Sequence, residues 1–246
     1  MPNKAAIFVI TITVTLCLGE IPSYIHVCHQ KDPKLTQCII NSIEALRPKL
    51  KEGIAEINVP PLEPLPLDEI KLRSGPNQAR ISSNITNLKV WGPILFQITD
   101  LKADVPNKKF QATVNLPKLN FEGDYDMDVN VLILKYNGKG VMTGNFTDYI
   151  FDLTLIYEIK QKDGKNYMNI PKLGIKLTMG KSVLKMTGTD NKNPTLSQGL
   201  QAVLNDNTEV FMKEVLPALE DGLSVRFTDI ANKIAHIVPY EELLPE

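Results

Sequence analysis

Residues 206–237, DNTEVFMKEVLPALEDGLSVRFTDIANKIAHI, carry the clearest periodic pattern in this chain. Their apolar residues recur mostly at steps of three and four, which keeps a broad stripe on one side of an α-helix. The stripe consists of Phe211, Val215, Leu216, Leu219, Leu223, Phe227, Ile230, Ile234 and Ile237. About 30 residues at roughly 1.5 Å each predict a rod of about 45 Å. Pro217 lies inside it and predicts a bend or a local break.

The chain ahead of this rod shows the pattern of β-strands. Between about residues 70 and 185, apolar residues alternate with polar ones. The alternating runs lie at 110–116, 125–133, 151–159 and 173–179. Such alternation is typical of antiparallel strands with one dry and one wet face. Asn137-Gly138 and Asp163-Gly164 predict tight hairpin turns between these strands.

A second helix is predicted near the N-terminus. Asp32 and Pro33 fit an N-cap followed by proline at the first helical position. An apolar stripe then extends to Leu50, and Gly53 fits the end of the helix. Residues 59–67 contain four prolines, so we expect an extended connector there and not a central strand.

The order is therefore helix, connector, antiparallel meander and long helix. Because nothing after residue 237 could cover so long an apolar stripe, the dry strand faces must pack against it. A flat sheet would cover only one side of the rod, so we expect a strongly curved sheet around it. The predicted class is α+β: a highly curved antiparallel β-sheet wrapped around a long C-terminal helix, with an N-terminal helix.

Residues 1–19 have the pattern of a secretory signal peptide. Lys4 precedes a short, nearly uncharged apolar run, and Cys17 and Gly19 supply the small residues of a cleavage site. The run is short for a membrane span, which needs about 20 residues. We therefore predict that residues 20–246 are the mature chain and that it is secreted into the extracellular space.

Two cysteines remain after cleavage, Cys28 and Cys38. An even pair in an oxidising secretory route predicts a disulfide bond between them. His26 and His29 lie beside Cys28, but the spacing matches no zinc pattern. We therefore expect a disulfide and no metal site.

Composition and motifs argue against several function classes. The formal net charge of the 246 residues is −1, and without a basic excess we expect no nucleic-acid partner. The chain has three histidines and no Gly-x-Ser-x-Gly nucleophile motif, so we expect neither an enzyme nor a cofactor. Asn84 and Asn145 each begin an N-glycosylation sequon, which fits a secreted protein.

Several segments of the chain resemble the insect takeout and haemolymph juvenile hormone binding protein family. They are CHQKDPKLTQC at 28–38, SIEALRP at 42–48, VPPLEPL at 59–65, LNDN at 204–207, VLPAL at 215–219 and PYEELLP at 239–245. The hormone carriers of that family hold a second disulfide in the sheet. This chain has no cysteine after Cys38, which favours the takeout branch.

The resemblance implies one lipid-binding domain over residues 20–246, folded as a TULIP-like super-roll around an elongated apolar tunnel. It implies a secreted, monomeric carrier of a small hydrophobic ligand, either a terpenoid resembling juvenile hormone or a fatty acid. Transient contact with a membrane or a receptor is left open. The alternative is a protein that binds or transfers membrane or bacterial lipids, with Lys160, Lys162 and Lys165 as a cationic tip.

The predicted ligand contacts are apolar side chains from the dry strand faces and the helix stripe, with Trp91 near a tunnel mouth. They are Trp91, Phe96, Phe110, Val114, Met127, Val129, Phe151, Leu153, Leu155, Met179, Leu219 and Phe227. The same residues would form an ordinary core if the interior were filled. A continuous hollow beside the rod is therefore the observation on which the carrier hypothesis depends.

Overall fold

The computed structural model describes residues 21–74, 80–131, 134–188 and 194–246. The side chains of residues 74, 80–81, 129, 131, 134–135, 194–207 and 210 also lie outside this description. The predicted signal peptide, residues 1–19, lies outside it as well.

The described chain forms three α-helices and nine strands. The helices are α1 (Leu35–Glu52), α2 (Pro194–Ala235) and α3 (Tyr240–Leu243), with short 3-10 turns at Ala55–Ile57 and Pro93–Leu95. The strands are β1 (Leu65–Ser74), β2 (Arg80–Trp91), β3 (Gln97–Asp104), β4 (Lys109–Val131), β5 (Leu134–Ile156), β6 (Glu158–Lys162), β7 (Lys165–Asn169), β8 (Leu173–Thr178) and β9 (Lys181–Gly188). The predicted α+β class is confirmed.

Seven strands form one antiparallel sheet whose central path is β1-β2-β4-β5-β8. Strands β4 and β5 contain 23 residues each and pair along their whole length. On the other side of β4, β3 pairs with its first half and β2 with its second half. On the other side of β5, β9 pairs with its first half and β8 with its second half. The sheet therefore consists of two halves that share the two long central strands.

The two halves meet where the inward-facing residues of β4 change phase. Val114 and Leu116 face the interior before the change, and Leu119 and Phe121 face it afterwards. Because Pro117 and its neighbours break the period of two, one continuous strand looks like two in the sequence. The prediction of separate strands at 110–116 and 125–133 is corrected: as far as Val131, both runs lie in the single strand β4.

Two glycines let neighbouring strands approach this junction closely. A Cβ on Gly92, between β2 and β3, would lie 2.2 Å from the carbonyl oxygen of Lys118. A Cβ on Gly180, between β8 and β9, would lie 1.9 Å from the carbonyl oxygen of Thr147. Only a residue without a side chain fits such contacts. The outer strands can thus change direction here and follow the curve of the central pair.

The predicted hairpin turns have different outcomes. Asp163-Gly164 joins β6 to β7, and its φ angles of 52° and 76° are those of the predicted two-residue turn. Asn137-Gly138 is not a turn, and that prediction is wrong. Both residues lie inside β5, where Gly138 pairs with Met127. A Cβ on Gly138 would lie 2.5 Å from the hydroxyl oxygen of Tyr136, so the glycine makes room for an aromatic ring.

The long helix α2 confirms the prediction from the apolar stripe, and it is longer than predicted. It has 42 residues and continues through Pro217 without a break. It lies against β1, β8 and β9, which brings it to both edges of the central path. None of the helices in the described part of the chain is both long and apolar enough to span a membrane.

The N-terminal helix α1 is held by the predicted disulfide between Cys28 and Cys38, whose Cα atoms are 6.0 Å apart. The helix begins at Leu35, after Lys34 as N-cap, and not at the predicted Asp32-Pro33. The carboxylate of Asp32 accepts a hydrogen bond from the Lys34 N–H at 2.7 Å, so these residues form a turn ahead of the helix.

The proline-rich connector is shorter than predicted. Strand β1 begins at Leu65, so the last residues of the 59–67 segment belong to the sheet. Pro66 is tolerated there because β1 is an edge strand, where a missing backbone donor leaves no gap in the ladder.

Candidate ligand-binding cavity

An elongated cavity of about 470 Å³ lies between the inner face of the sheet and α2. On the helix, its lining residues extend from Phe211 to Ile234, a distance of about 35 Å at 1.5 Å per residue. The volume falls in the range of roughly 300–1,000 Å³ that is common for small-molecule sites. The hollow beside the rod, on which the carrier hypothesis depends, is therefore present.

The walls of the cavity are almost entirely hydrocarbon. Among the described lining residues, Ser83 and Tyr149 alone carry a polar side-chain atom, and none carries a charge. The hydroxyl of Tyr149 is 2.5 Å from Ser182 Oγ, and burial raises the pKa of this tyrosine. The described wall thus offers no group that could pair with an ionised ligand, and an apolar molecule suits it best.

On one side of the cavity, helix α2 is bonded to the sheet through polar side chains spaced four residues apart. We call this set, Glu220, Ser224, Thr228 and Asn232, the polar seam. Its first three members bond to β8, which is an edge of the central path. The Glu220 carboxylate accepts the N–H of Leu177 at 2.9 Å, and Thr228 Oγ1 accepts the N–H of Leu173 at 2.9 Å. Ser224 Oγ donates to the carbonyl oxygen of Leu173.

The fourth member of the polar seam, Asn232, extends it beyond β8. Its side-chain oxygen accepts the N–H of Ile170 at 2.9 Å, and its NH₂ group donates to the carbonyl of the same residue at 2.8 Å. Edge strands expose backbone groups that need partners. The polar seam supplies these partners and so joins the helix to this edge of the sheet.

The opposite side of α2 closes on β1, the other edge of the path. Gly222 lies so close to this strand that a Cβ would be 2.8 Å from Ile70 Cγ2 and 3.1 Å from the carbonyl oxygen of Lys71. Nearby, Arg226 pairs with Asp68. The helix therefore contacts both edges, and the sheet and the helix together form most of the described cavity wall.

One part of the cavity wall is held by α1. Phe96 follows the 3-10 turn Pro93–Leu95 and lines the cavity. The Arg47 guanidinium lies 3.9 Å from the centre of the Phe96 ring and donates to the backbone carbonyl of Phe96 at 2.9 Å. Arg47 also pairs with Glu44 at 2.7 Å, and this hydrogen bond lowers the pKa of the Glu44 carboxyl. We call residues 93–96 the wall loop.

The structure places the predicted ligand contacts in three groups. The residues that line the cavity are Phe96, Val114, Met127, Phe151, Leu153, Leu219 and Phe227. The residues that are not among the described lining residues are Trp91, Phe110, Leu155 and Met179. Val129 lies in β4, but its side chain is outside the described part of the chain. Contact of any of them with a ligand stays a prediction.

Phe110 and Leu155 show why some inward residues lie off the cavity. They are directly opposite each other at one end of β4 and β5. The Phe110 ring stacks on Tyr157 with centroids 5.8 Å apart. This end of the sheet is therefore filled by side chains, although its period of two matches that of the hollow part.

Two features of the site were missed from the sequence, namely Ser83 and the polar seam. Ser83 stands two residues before the buried Ile85 and is itself 2% exposed. Its place in the alternation was the available signal, because a residue two positions from an inward isoleucine points inward as well.

The proposed cationic tip on the β6–β7 hairpin is partly neutralised. Lys160 Nζ lies 3.9 Å from a carboxylate oxygen of Glu158, and Lys165 Nζ lies 3.9 Å from one of Glu242. These cations face carboxylates, so the hairpin is a weaker attractor for anionic lipid headgroups than its sequence indicates.

Comparison with known proteins agrees with this architecture. The sequence model of the haemolymph juvenile hormone binding protein family matches residues 6–245. The circadian clock-controlled protein daywake of Drosophila melanogaster is 25% identical over 231 residues, which cover 90% of this chain and 87% of that protein. Daywake of Drosophila yakuba is 25% identical over 218 residues, covering 83% of this chain and 82% of that protein.

A solved structure has the same fold. The crystal structure of Epiphyas postvittana Takeout 1 matches with a TM-score of 0.70, covering 89% of this chain and 99% of that one. The two sequences are 18% identical, so this likeness concerns the fold alone.

Proposed function

Because the chain belongs to the haemolymph juvenile hormone binding protein family, we propose that it is a secreted carrier of a small hydrophobic ligand. The ligand would be a terpenoid or a fatty-acid-derived molecule held in the cavity beside α2. The observation that carries this proposal is the elongated hollow with hydrocarbon walls, enclosed by the sheet and the helix.

The cavity can provide enough binding energy without an ion pair. A ligand of about 20 heavy atoms would bury roughly 400 Å² of apolar surface, worth about 10 kcal/mol before the costs of association. Micromolar affinity requires about 8 kcal/mol. At about 33 cal/mol/Å², the upper end of the coefficient, the same burial is worth about 13 kcal/mol. An association cost of about 4 kcal/mol, the lower end of the range, then leaves about 9 kcal/mol. Burial of hydrocarbon therefore reaches micromolar affinity at the favourable ends of both ranges.

Secretion is part of the proposal. We propose that residues 1–19 are removed and that residues 20–246 form one monomeric domain outside the cell. The disulfide between Cys28 and Cys38 supports an oxidising environment. Asn84 and Asn145 are the proposed glycosylation sites, each next to a residue whose side chain faces the cavity, so their own side chains point away from it.

Uptake of a fluorescent apolar probe tests the carrier function. We expect purified folded protein to bind N-phenyl-1-naphthylamine with enhanced emission, and long-chain esters or terpenoids to displace it. Protein unfolded in urea is the control. Absence of uptake by folded protein would overturn the proposal. Flotation with anionic vesicles in the absence of uptake would favour the membrane-lipid alternative instead.

A further inference from the structure

One polar group in the cavity has no partner. Ser83 Oγ is buried and makes no hydrogen bond within the described part of the chain. A buried hydroxyl without a partner costs about 1–3 kcal/mol, so its place in a hydrocarbon wall calls for an explanation. The other polar side chain of the described wall, Tyr149, is already bonded to Ser182.

Ser83 stands at one end of the described lining. Its register partners are Leu72 on β1 and Met127 on β4. Each of these three is the last described lining residue on its strand in that direction. A group bonded to Ser83 would therefore lie at one end of the described lining, with the described hydrocarbon walls extending away from it on the other side.

Water is a poor partner for this hydroxyl. A buried water is held by two to four polar groups, and among the described lining residues only Tyr149 offers a second side-chain hydroxyl, which is already bonded to Ser182. An ionised ligand is also disfavoured, because no charged side chain is among the described lining residues and burial of an unpaired charge is costly. A neutral oxygen that accepts one hydrogen bond fits both conditions.

We infer that Ser83 is a specificity-determining residue that donates a hydrogen bond to a neutral terminal oxygen of the ligand. The ligand class is then a long hydrocarbon with an ester, ketone or alcohol group at one end, and not an ionised fatty acid. This inference rests on the proposed carrier function, and it selects among the ligands which that function allows.

Three matched competitors test the inference: methyl tetradecanoate, ionised tetradecanoate and hexadecane. Each displaces N-phenyl-1-naphthylamine from the full-length mature protein, and the measured quantity is the ratio of their dissociation constants. We expect the ester-to-hydrocarbon affinity ratio of the native protein to exceed that of a variant without the hydroxyl by about three- to tenfold, the effect of one neutral hydrogen bond. We expect the carboxylate to bind more weakly than the ester.

Substitutions at Ser83 distinguish the effect of its hydroxyl from the effect of its size. Ser83→Ala should reduce the ester-to-hydrocarbon affinity ratio by that factor, and Ser83→Thr should retain the native ratio because the hydroxyl is kept. Ser82→Ala is the matched control, since Ser82 bonds to Arg73 and does not line the cavity. It should retain the native preference.

The outcomes also separate this inference from the carrier function. If the native protein takes up the probe but Ser83→Ala keeps the full ester preference, Ser83 does not select the ligand. Tighter binding of the carboxylate than of the ester would equally overturn the inference. If the native protein takes up no probe at all, the carrier function fails and the inference fails with it.

Discussion

Helix α2 has two sides that are built in opposite ways. Toward β8, the polar seam places a hydrogen-bonding side chain every four residues, and each one reaches a backbone group. Toward the cavity, residues such as Phe211, Leu219 and Phe227 border space that no side chain of the described residues fills. The difference shows how the cavity is maintained. Hydrogen bonds from the polar seam fix the position of the helix at the edge of the sheet, while the apolar side only has to be hydrophobic.

This division has an energetic reason. Side chains that border a void lose dispersion contacts on one side, so the cavity face of α2 contributes less to stability than a filled core would. Hydrogen bonds to otherwise open edge groups supply about 0.5–1.5 kcal/mol each and fix the position of the helix. The comparison predicts that changes in the polar seam affect folding and that changes on the cavity face affect binding.

The largest expected effect is in the polar seam. Asn232→Leu keeps the size of the side chain but leaves both backbone groups of the buried Ile170 without their partner. Because an unsatisfied buried group costs about 1–3 kcal/mol, we expect the free energy of unfolding to fall by about 2–4 kcal/mol. Urea unfolding followed by circular dichroism measures this change.

Asp229→Asn is the matched control for that variant. Asp229 is exposed on the same helix, three residues before Asn232, and exposed substitutions usually change stability by less than about 0.5 kcal/mol. If Asn232→Leu were no less stable than this control, the polar seam would not hold the helix.

The next effect is on the cavity face, where binding should change more than stability. Leu219→Trp would direct a larger side chain into the hollow, so we expect probe affinity to fall at least about tenfold, or ~1.4 kcal/mol. The free energy of unfolding should change little, because the added atoms enter space that the described side chains leave empty. Probe titration and urea unfolding of the same variant check both parts.

Leu35→Trp is the corresponding change in a filled region. Leu35 is buried in the cluster around Cys28 and Leu244, where overpacking costs about 1–3 kcal/mol. We expect it to lower stability and leave probe affinity unchanged. Equal destabilisation by the two tryptophans, with unchanged binding by both, would mean that the space beside Leu219 is not a hollow.

Much of this fold follows from the period of the sequence. The stripe of α2 and the alternation of the strands predict their inward faces, because a buried face must be apolar whatever it packs against. The period cannot show that a strand continues where its inward-facing positions shift by one residue, as they do at Pro117 in β4. It also cannot distinguish a glycine used for a turn from one used for space, as at Gly138.

The site was predicted less completely, for a related reason. A period of two identifies the inward side of a strand, but not which part of that side is hollow. Phe110 therefore looks like Val114, although it stacks on Tyr157 while Val114 lines the cavity. Polar residues four apart, such as Ser224 and Thr228, normally indicate a solvated helix face, so only the packed structure shows that they bond to β8.

The smallest expected effect concerns the wall loop at residues 93–96. Arg47→Gln removes the cation over the Phe96 ring and the guanidinium group that donates to the backbone carbonyl of Phe96. The cation–π contact at a partly exposed site is worth about 0.5–1 kcal/mol. Because the glutamine amide can still donate to a loop carbonyl, we expect stability to fall by about 1 kcal/mol. We expect faster release of bound probe, by about two- to fivefold for the same energy, measured by stopped-flow dilution into a competitor.

Lys49→Gln is the matched control, because Lys49 also lies over a ring, that of Tyr24 at 4.1 Å, but Tyr24 is not among the described lining residues. It should leave the release rate unchanged. Faster release from Arg47→Gln alone would mean that the ligand leaves past Phe96, on the side of the cavity that α1 holds. Equal rates in both variants would show that the wall loop does not limit release, and would direct the search for an exit to the end of the described lining at Ser83.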